Sequence, residues 1–220
     1  MKILPKTLAV IVGAALLAAG PAFAGVEEDI AKLQREWERV KYQTAPASQE
    51  KEFERLAADA GLAVSRHPDR AEPLIWHGII VASHAGAKGG LGALSLAKDA
   101  KRDFEQALQV NSAALAGSAY TSLGSLYYQV PGWPPGFGDD KKALEFLQRG
   151  LAVNPDGIDP NFFHGDFLFR TGDLDNAERA LRKVLQAPPR AGRKLADEGR
   201  RREISQLLEK IAEKRRLAPG

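Results

Sequence analysis

Residues 120–130 read YTSLGSLYYQV, and residues 143–155 read ALEFLQRGLAVNP. The first stretch has the spacing large-x2-Leu-Gly-x2-Tyr, and the second has the spacing Ala-x3-large-x2-small-x4-Pro. Gly124 and Gly150 carry no side chain, so two helices can approach closely at these positions. Pro155 ends the second helix, because proline lacks a backbone donor and clashes with the preceding turn. The two stretches therefore predict a pair of helices packed against each other.

The same spacing recurs on both sides of this pair. The following unit has, at the corresponding positions, Asn161, His164, Gly165, Leu168, Ala177, Leu181, Val184 and Pro189. The preceding unit has Leu74, His77, Gly78, Val81, Ala100, Phe104, Ala107 and Ser112. A partial unit further upstream has a second helix with Leu56, Ala60, Ala63 and Pro68. The steps from Ala63 to Gly78 and from Gly150 to Gly165 are both 15 residues, as a 34-residue period requires.

Residues 50–189 resemble a short tetratricopeptide-repeat array, with three units in register and one partial unit. The resemblance implies an all-α solenoid of stacked helical hairpins, because one hairpin cannot bury its apolar face alone. It also implies a concave surface that binds other molecules. The chain departs from the repeat in two places. About ten extra residues separate the helices of the unit that begins at Leu74, and seven separate those of the unit that begins at Tyr120.

Enlarged segments of this kind are similar to those of a periplasmic accessory of some substrate-binding-protein-dependent solute transporters, the T component. The loop Pro131-Gly132-Trp133-Pro134 is also distantly similar to one in the eukaryotic regulators of microtubule dynamics. The first resemblance implies a role in solute uptake, and neither resemblance implies a particular substrate.

Residues 1–24 have the features of a secretory signal peptide. Lys2 and Lys6 precede an apolar run over residues 8–19, and residues 22–24 read AFA, with small residues where a signal peptidase cleaves. An uncleaved membrane anchor is the alternative, although a run of about a dozen residues is short for a bilayer. We therefore expect a mature chain that begins at Gly25, is periplasmic or secreted, and has no stable membrane anchor.

The charge of the chain is nearly balanced. The formal net charge is +3, and the two lysines of residues 1–24 bring the mature chain close to neutrality. This balance disfavours nucleic acid as a partner. The C-terminal segment 190–220 is basic, and its densest cluster is Arg200, Arg201 and Arg202. It predicts either a solvated cap or a segment that docks on an acidic partner or an anionic membrane surface.

Apolar stripes at helical spacing flank the repeats. The N-terminal stripe is Val26, Ile30, Leu33, Trp37 and Val40. The C-terminal stripe is Ile204, Leu207, Leu208 and Ile211. Each predicts one buried helix face. The sequence thus divides into a signal peptide over 1–24, a repeat domain over 25–189, and a basic capping helix over 190–220.

The segment Gln129–Asp140 is predicted to be a loop, since three prolines and three glycines exclude a helix. It nevertheless contains Trp133 and Phe137, which are costly to leave in water. They either fill a gap between repeats or contact a partner or ligand. Asp139 is predicted to cap the next helix.

A second enlarged segment, Ser83–Leu96, is rich in glycine and alanine. It lacks the Gly-Lys-Ser/Thr ending of a phosphate-binding loop, and no strand precedes it. It is predicted to be a flexible loop beside the groove, where small residues would allow close approach by a ligand.

The sequence contains no recognisable catalytic or metal-binding set. There is no cysteine and no Gly-x-Ser-x-Gly elbow. The four histidines, which include His77 and His164 at equivalent repeat positions, have no pair at the i, i+4 spacing of a helical metal site. We therefore expect a protein that is not an enzyme and that needs no cofactor or metal.

The leading hypothesis is a periplasmic scaffold or adaptor. It would bind a protein or peptide partner through its first helices and its enlarged loops. The alternative is a soluble accessory of solute uptake with a small apolar ligand held under the Trp133 loop. The residues predicted to contact a partner or ligand are Trp133, Phe137, Trp76, Tyr120, Tyr127 and Tyr128.

Overall fold

The computed structural model describes residues 21–217 of the chain. Most of the predicted signal peptide therefore lies outside the described residues. Within them the chain forms nine α-helices: α1 Pro21–Gln43, α2 Pro46–Arg66, α3 Ala71–Lys88, α4 Gly90–Asn111, α5 Ala114–Gln129, α6 Asp140–Val153, α7 Ile158–Thr171, α8 Leu174–Leu185 and α9 Lys194–Leu217. No helix among the described residues is both long and apolar enough to cross a membrane.

The helices pack in sequence as antiparallel pairs, α1 with α2, α3 with α4, α5 with α6 and α7 with α8, and α9 follows as a single helix. The fold is thus an all-α solenoid of helical hairpins, as the repeat spacing predicts.

Each of the three complete hairpins is held by the same contact, a glycine against a large side chain. A Cβ atom added to Gly78 would lie 2.6 Å from the Phe104 ring, and one added to Gly124 would lie 2.7 Å from Leu147. The corresponding distance from Gly165 to Leu181 is 2.9 Å. The three large side chains are fully buried, so the glycines set how closely the paired helices pack.

The two flanking stripes are buried as predicted. Val26, Ile30, Leu33, Trp37 and Val40 of α1 pack mainly against α2 and α3. Ile204, Leu207 and Ile211 of α9 pack against α7 and α8, with Leu208 partly buried beside them.

The prediction of a flexible loop at Ser83–Leu96 is wrong. α3 continues through Lys88, and α4 begins at Gly90. Within Ser83–Leu96 only Gly89 and Gly90 have positive φ angles, of 65° and 60°, and these two residues make the turn between the helices. The alanines, leucines and lysines around them are strong helix formers. The extra residues of this unit therefore lengthen its two helices.

The solenoid closes into a ring. α1 contacts α3, α3 contacts α5, α5 contacts α7, α7 contacts α9, and α9 contacts α1. The even-numbered helices each bridge two neighbours of this inner ring. The concave face that the repeats predict is consequently the wall of a central cavity.

We expect Gly124→Val to destabilise the protein by about 1–3 kcal/mol, because the new side chain overpacks Leu147. The backbone nitrogen of Leu147 lies only 3.0 Å from the added Cβ position, so α6 itself would have to shift. Urea unfolding followed by circular dichroism measures this change.

The matched control is Gly86→Val on α3, where an added Cβ meets nothing within 4 Å. Its free energy of unfolding should change by less than about 0.5 kcal/mol. Equal losses in the two variants would show that the Gly124 contact does not set the helix spacing.

Candidate ligand-binding cavity

The ring surrounds a cavity of about 850 Å³ that is partly open to solvent. Most of its wall comes from α1, α3, α5, α7 and α9, together with the segment between α8 and α9. The first helices of the repeats therefore face the cavity, as expected for a binding surface of this architecture. The wall has an aromatic, a hydroxyl-and-amide and a charged region.

The aromatic region is formed by Trp37, Tyr42 and Trp76. Trp37 meets the other two rings edge to face, with centroids 5.9 Å from Tyr42 and 6.0 Å from Trp76. The Trp37 Nε1 donates to Ser83 Oγ at 2.8 Å. The Nε1 of Trp76 is buried and has no hydrogen-bond partner among the described residues. A buried donor of this kind normally has an acceptor.

The hydroxyl-and-amide region follows one face of α5. Ser118, Ser122, Ser125 and Gln129 recur every three or four residues and line the cavity. The backbone of Leu115–Gly117 turns through the left-handed region just before them, with φ angles of 47°, 54° and 74°. Such a conformation is unfavourable for leucine and alanine. It produces a kink in the chain just before the serines that line the cavity.

The charged region centres on Asp159 at the start of α7. Its two carboxylate oxygens accept from Arg190 Nη1 at 2.6 Å and from Arg200 Nε at 3.1 Å. Burial opposes ionisation, but the charges of Arg200 and Arg190 outweigh it and lower the pKa of Asp159 to about 2. Arg200 also lies over the Phe162 ring, 4.0 Å from its centroid. This cluster is therefore charged at neutral pH and packs against Phe162.

The ring is closed by contacts between α1 and the C-terminal segment, which we call the clasp. Its residues are Glu38, Lys41 and Tyr42 of α1 and Arg193, Gly199 and Glu203 of the C-terminal segment. The buried carboxylate of Glu38 accepts from Arg193 Nε, and the Arg193 guanidinium lies 5.2 Å from the Trp76 ring centroid. Lys41 Nζ lies 4.0 Å from Glu203 Oε1. The Tyr42 ring packs where a side chain at position 199 would stand, and burial raises the pKa of its hydroxyl to about 12.

Among the predicted contact residues, Trp76 lines the cavity, and three others pack together away from it. Phe146 of α6 stacks on Tyr127 with ring centroids 5.6 Å apart, and on Tyr120 at 6.4 Å. Phe137 meets Tyr127 edge to face at 5.7 Å. Phe137 therefore anchors its loop on the solenoid, and its contact with a partner stays a prediction, as do those of Tyr120 and Tyr127.

The Trp133 loop is ordered by hydrogen bonds and exposes its tip. Asp139 N donates to the carbonyl of Tyr127 at 2.9 Å, and Gly138 N donates to that of Pro131 at 2.9 Å. The Asp139 side chain accepts from the backbone of Lys142, which confirms the predicted cap of α6. Trp133 is 85% exposed. The structure thus presents this indole on a braced loop without assigning it a partner.

The basic cluster of α9 is mostly engaged inside the molecule. Arg200 is buried in the charged region, and Arg201 donates to the carbonyls of Leu185 and Ala187. Of the three consecutive arginines, Arg202 alone is exposed. The prediction that this cluster is a solvated face is therefore wrong for Arg200 and Arg201.

Several cavity residues were not predicted from the sequence. The sequence predicts a separate cap after Pro189, whereas in the structure Arg190 and Arg193 complete the cavity wall. Asp159 and Asp166 lie outside the signature positions of the repeat, and nothing in the sequence distinguishes them before the ring is known. The spacing of the small hydroxyl residues on α5 is the one local signal of a polar wall.

His77 and His164, which occupy equivalent repeat positions, lie in different surroundings. His77 Nδ1 is 2.7 Å from Asp103 Oδ2, and burial lowers the pKa of His164. Within residues 21–217, no group of three histidine, aspartate or glutamate side chains is placed to hold a metal ion.

No family model and no curated protein matches this chain. Similar solved structures include two of MamA, one with 21% identity over 80% of this chain and 96% of that chain, and one with 19% identity over 86% and 92%. Their TM-scores are 0.44 and 0.43. A third is YrrB, described as a TPR protein with an unusual peptide-binding site, with 22% identity over 89% and 93% and a TM-score of 0.40. Fold and function therefore rest on the geometry of this chain.

We expect Arg193→Met to destabilise the protein by about 3–5 kcal/mol, because it leaves the buried Glu38 carboxylate without its cation. Adding Glu38→Gln should recover at least half of this loss, since the buried group is then neutral. Urea unfolding of the single and double variants measures both effects.

Arg102→Met is the surface control, because Arg102 pairs with Asp99 on the outside of α4 and is 72% exposed. Its loss should stay below about 1 kcal/mol. If Arg193→Met lowers the free energy of unfolding by no more than Arg102→Met does, the clasp does not hold the ring.

Proposed function

We propose that this protein is a periplasmic scaffold that binds a short segment of a partner protein inside the cavity. The closure of α9 against α1 is the observation that supports this best, because it surrounds the concave face and leaves a central, partly open cavity of about 850 Å³. A space of this size suits a few residues or a small molecule, and it excludes a folded domain. The Trp133 loop would contact the partner outside the cavity.

The chemistry of the wall fits an extended peptide. The hydroxyl and amide groups of Ser122, Ser125 and Gln129 can exchange hydrogen bonds with peptide N–H and C=O groups. The Trp37 and Trp76 rings offer apolar surface to side chains. A peptide carbonyl at this wall would also supply an acceptor for the buried Nε1 of Trp76.

The second candidate is a soluble accessory of solute uptake that holds a small ligand in the same cavity. A cavity walled by five helices favours it, since small ligands are commonly buried over most of their surface. The serine and charged side chains of the wall favour a ligand with polar groups as well as apolar ones. A small molecule that raises the melting temperature in proportion to its concentration would support this candidate over a peptide.

Export is tested on the whole chain expressed in a Gram-negative host. We expect the protein in the periplasmic fraction with Gly25 as its new N-terminus, because residues 22–24 present small residues to the peptidase. N-terminal sequencing of the purified product measures this. A product that keeps Met1 and stays with the membrane fraction would contradict cleavage after Ala24 and support the uncleaved membrane anchor instead.

Binding is tested through the tryptophans of the chain. Of the three, Trp37 and Trp76 line the cavity, so a Trp133→Phe variant reports from the cavity alone. We expect a subset of random hexapeptides, each about 20 Å long when extended, to shift its fluorescence emission saturably. Adding Ser122→Phe should weaken the binding of the tightest of these peptides about tenfold or more, because the new phenyl group occupies space in the cavity.

Ser95→Phe is the matched control, since Ser95 is exposed on α4 outside the cavity. It should leave peptide affinity unchanged. If peptides bind equally well to the Ser122 and Ser95 variants, the cavity is not the peptide site. If no peptide binds and a small molecule does, the second candidate replaces the first.

A further inference from the structure

The basic side chains that line the cavity are already paired. Arg190 pairs with Asp159 and Asp197, and Arg200 with Asp159 and Glu203. Arg193 pairs with Glu38, and Lys41 approaches Glu203. An acidic ligand would therefore have to break an existing ion pair to gain a cation.

Asp166 is the exception among the acidic side chains of the wall. No lysine, arginine or histidine of the described residues lies within 4.0 Å of its carboxylate. Arg170, one turn further along α7, instead lies over the Tyr128 ring, 5.3 Å from its centroid. Asp156, at the mouth, pairs with Lys183 at 2.9 Å. The wall thus carries one carboxylate without a cationic partner.

Asp166 is held in place from behind. The Tyr128 hydroxyl donates to Asp166 Oδ2 at 2.7 Å, and Tyr128 is almost wholly buried between α5 and α7. Burial and the Asp166 charge raise the pKa of Tyr128 well above its ordinary value, so it remains a neutral donor. Gln129 Nε2 links the pair to the α5 wall through Ser125 Oγ at 2.9 Å. The second carboxylate oxygen, Oδ1, is left for a ligand.

The surroundings of Asp166 suit a long cationic side chain. Phe163 precedes it by three residues on the same face of α7 and also lines the cavity. The Arg200 guanidinium lies over this ring, 4.9 Å from its centroid, but its charge is paired with Asp159 and Glu203. An apolar stem can lie beside the ring while its charged end reaches the Asp166 carboxylate, as lysine and arginine do when they are partly buried. A glutamate or aspartate in the same place would face the Asp166 charge instead.

We propose that the cavity selects a peptide segment carrying a lysine or arginine whose charged group pairs with Asp166. This rests on the proposed function, because it assumes a peptide in the cavity. It adds the chemical class of the segment and the residue that recognises it. Asp166 is then a specificity-determining residue.

The test compares the Trp133→Phe protein with and without Asp166→Asn, using N-acetylated, C-amidated random hexapeptides that carry no terminal charge. The asparagine oxygen can still accept from Tyr128, so both proteins should have the same melting temperature. We expect lysine and arginine to be enriched among peptides that bind the first protein and not among those that bind Asp166→Asn.

A pair of peptides then measures the contact directly. Replacing the enriched lysine by norleucine, which keeps the apolar stem, should weaken binding roughly 10- to 100-fold to the parent protein and less than about twofold to Asp166→Asn. Asp156→Asn is the matched control and should keep the preference for lysine, because its charge is paired at the mouth.

Binding without enrichment of lysine or arginine would overturn this inference and leave the proposed function standing. Enrichment that survives Asp166→Asn would assign the recognition to another residue and overturn it as well. If no peptide binds the parent protein, the proposed function fails, and the inference fails with it.

Discussion

Close contact between a glycine on one helix and a large apolar side chain on the next is the constraint on which this structure depends. It occurs in the same place in three successive hairpins, at Gly78, Gly124 and Gly165. A side chain at any of these positions would separate the paired helices, because their partners are fully buried and cannot move aside. Closing the ring requires each hairpin to hold its spacing, since an error in one is carried to the next.

Local spacing was sufficient to predict the hairpins, because each depends on residues within about 40 positions of one another. The ring was not predictable in this way. Its clasp joins Glu38 to Arg193, which are 155 residues apart, and no local pattern indicates that the solenoid ends meet. The error at Ser83–Leu96 has a local cause. Two adjacent glycines make the turn, and the other glycines of that segment lie within helices.

The candidate site was predictable only in part, for a related reason. The sequence predicts that Trp76 contacts a partner or ligand, and in the structure its side chain lines the cavity. Arginines and aspartates on a helix look alike in sequence whether they face water or each other. Arg200 and Asp159 could be recognised as an internal pair only once α7 and α9 are seen to meet. Tyr128 is a similar case, since its hydroxyl on α5 donates to the Asp166 carboxylate on α7.

Enclosure changes what a repeat protein of this kind can bind. An open solenoid offers a long groove, and its affinity grows as more surface is covered. A closed ring admits a chain end or a small molecule directly, whereas an internal segment of a long chain has to wait for the clasp to open, which slows association. A buried pair such as Glu38–Arg193 is costly to separate, because each charge would be left without its partner. For an internal segment, the clasp would therefore slow release as well as binding, whereas selectivity among chain ends or small molecules would depend on the side chains inside the ring.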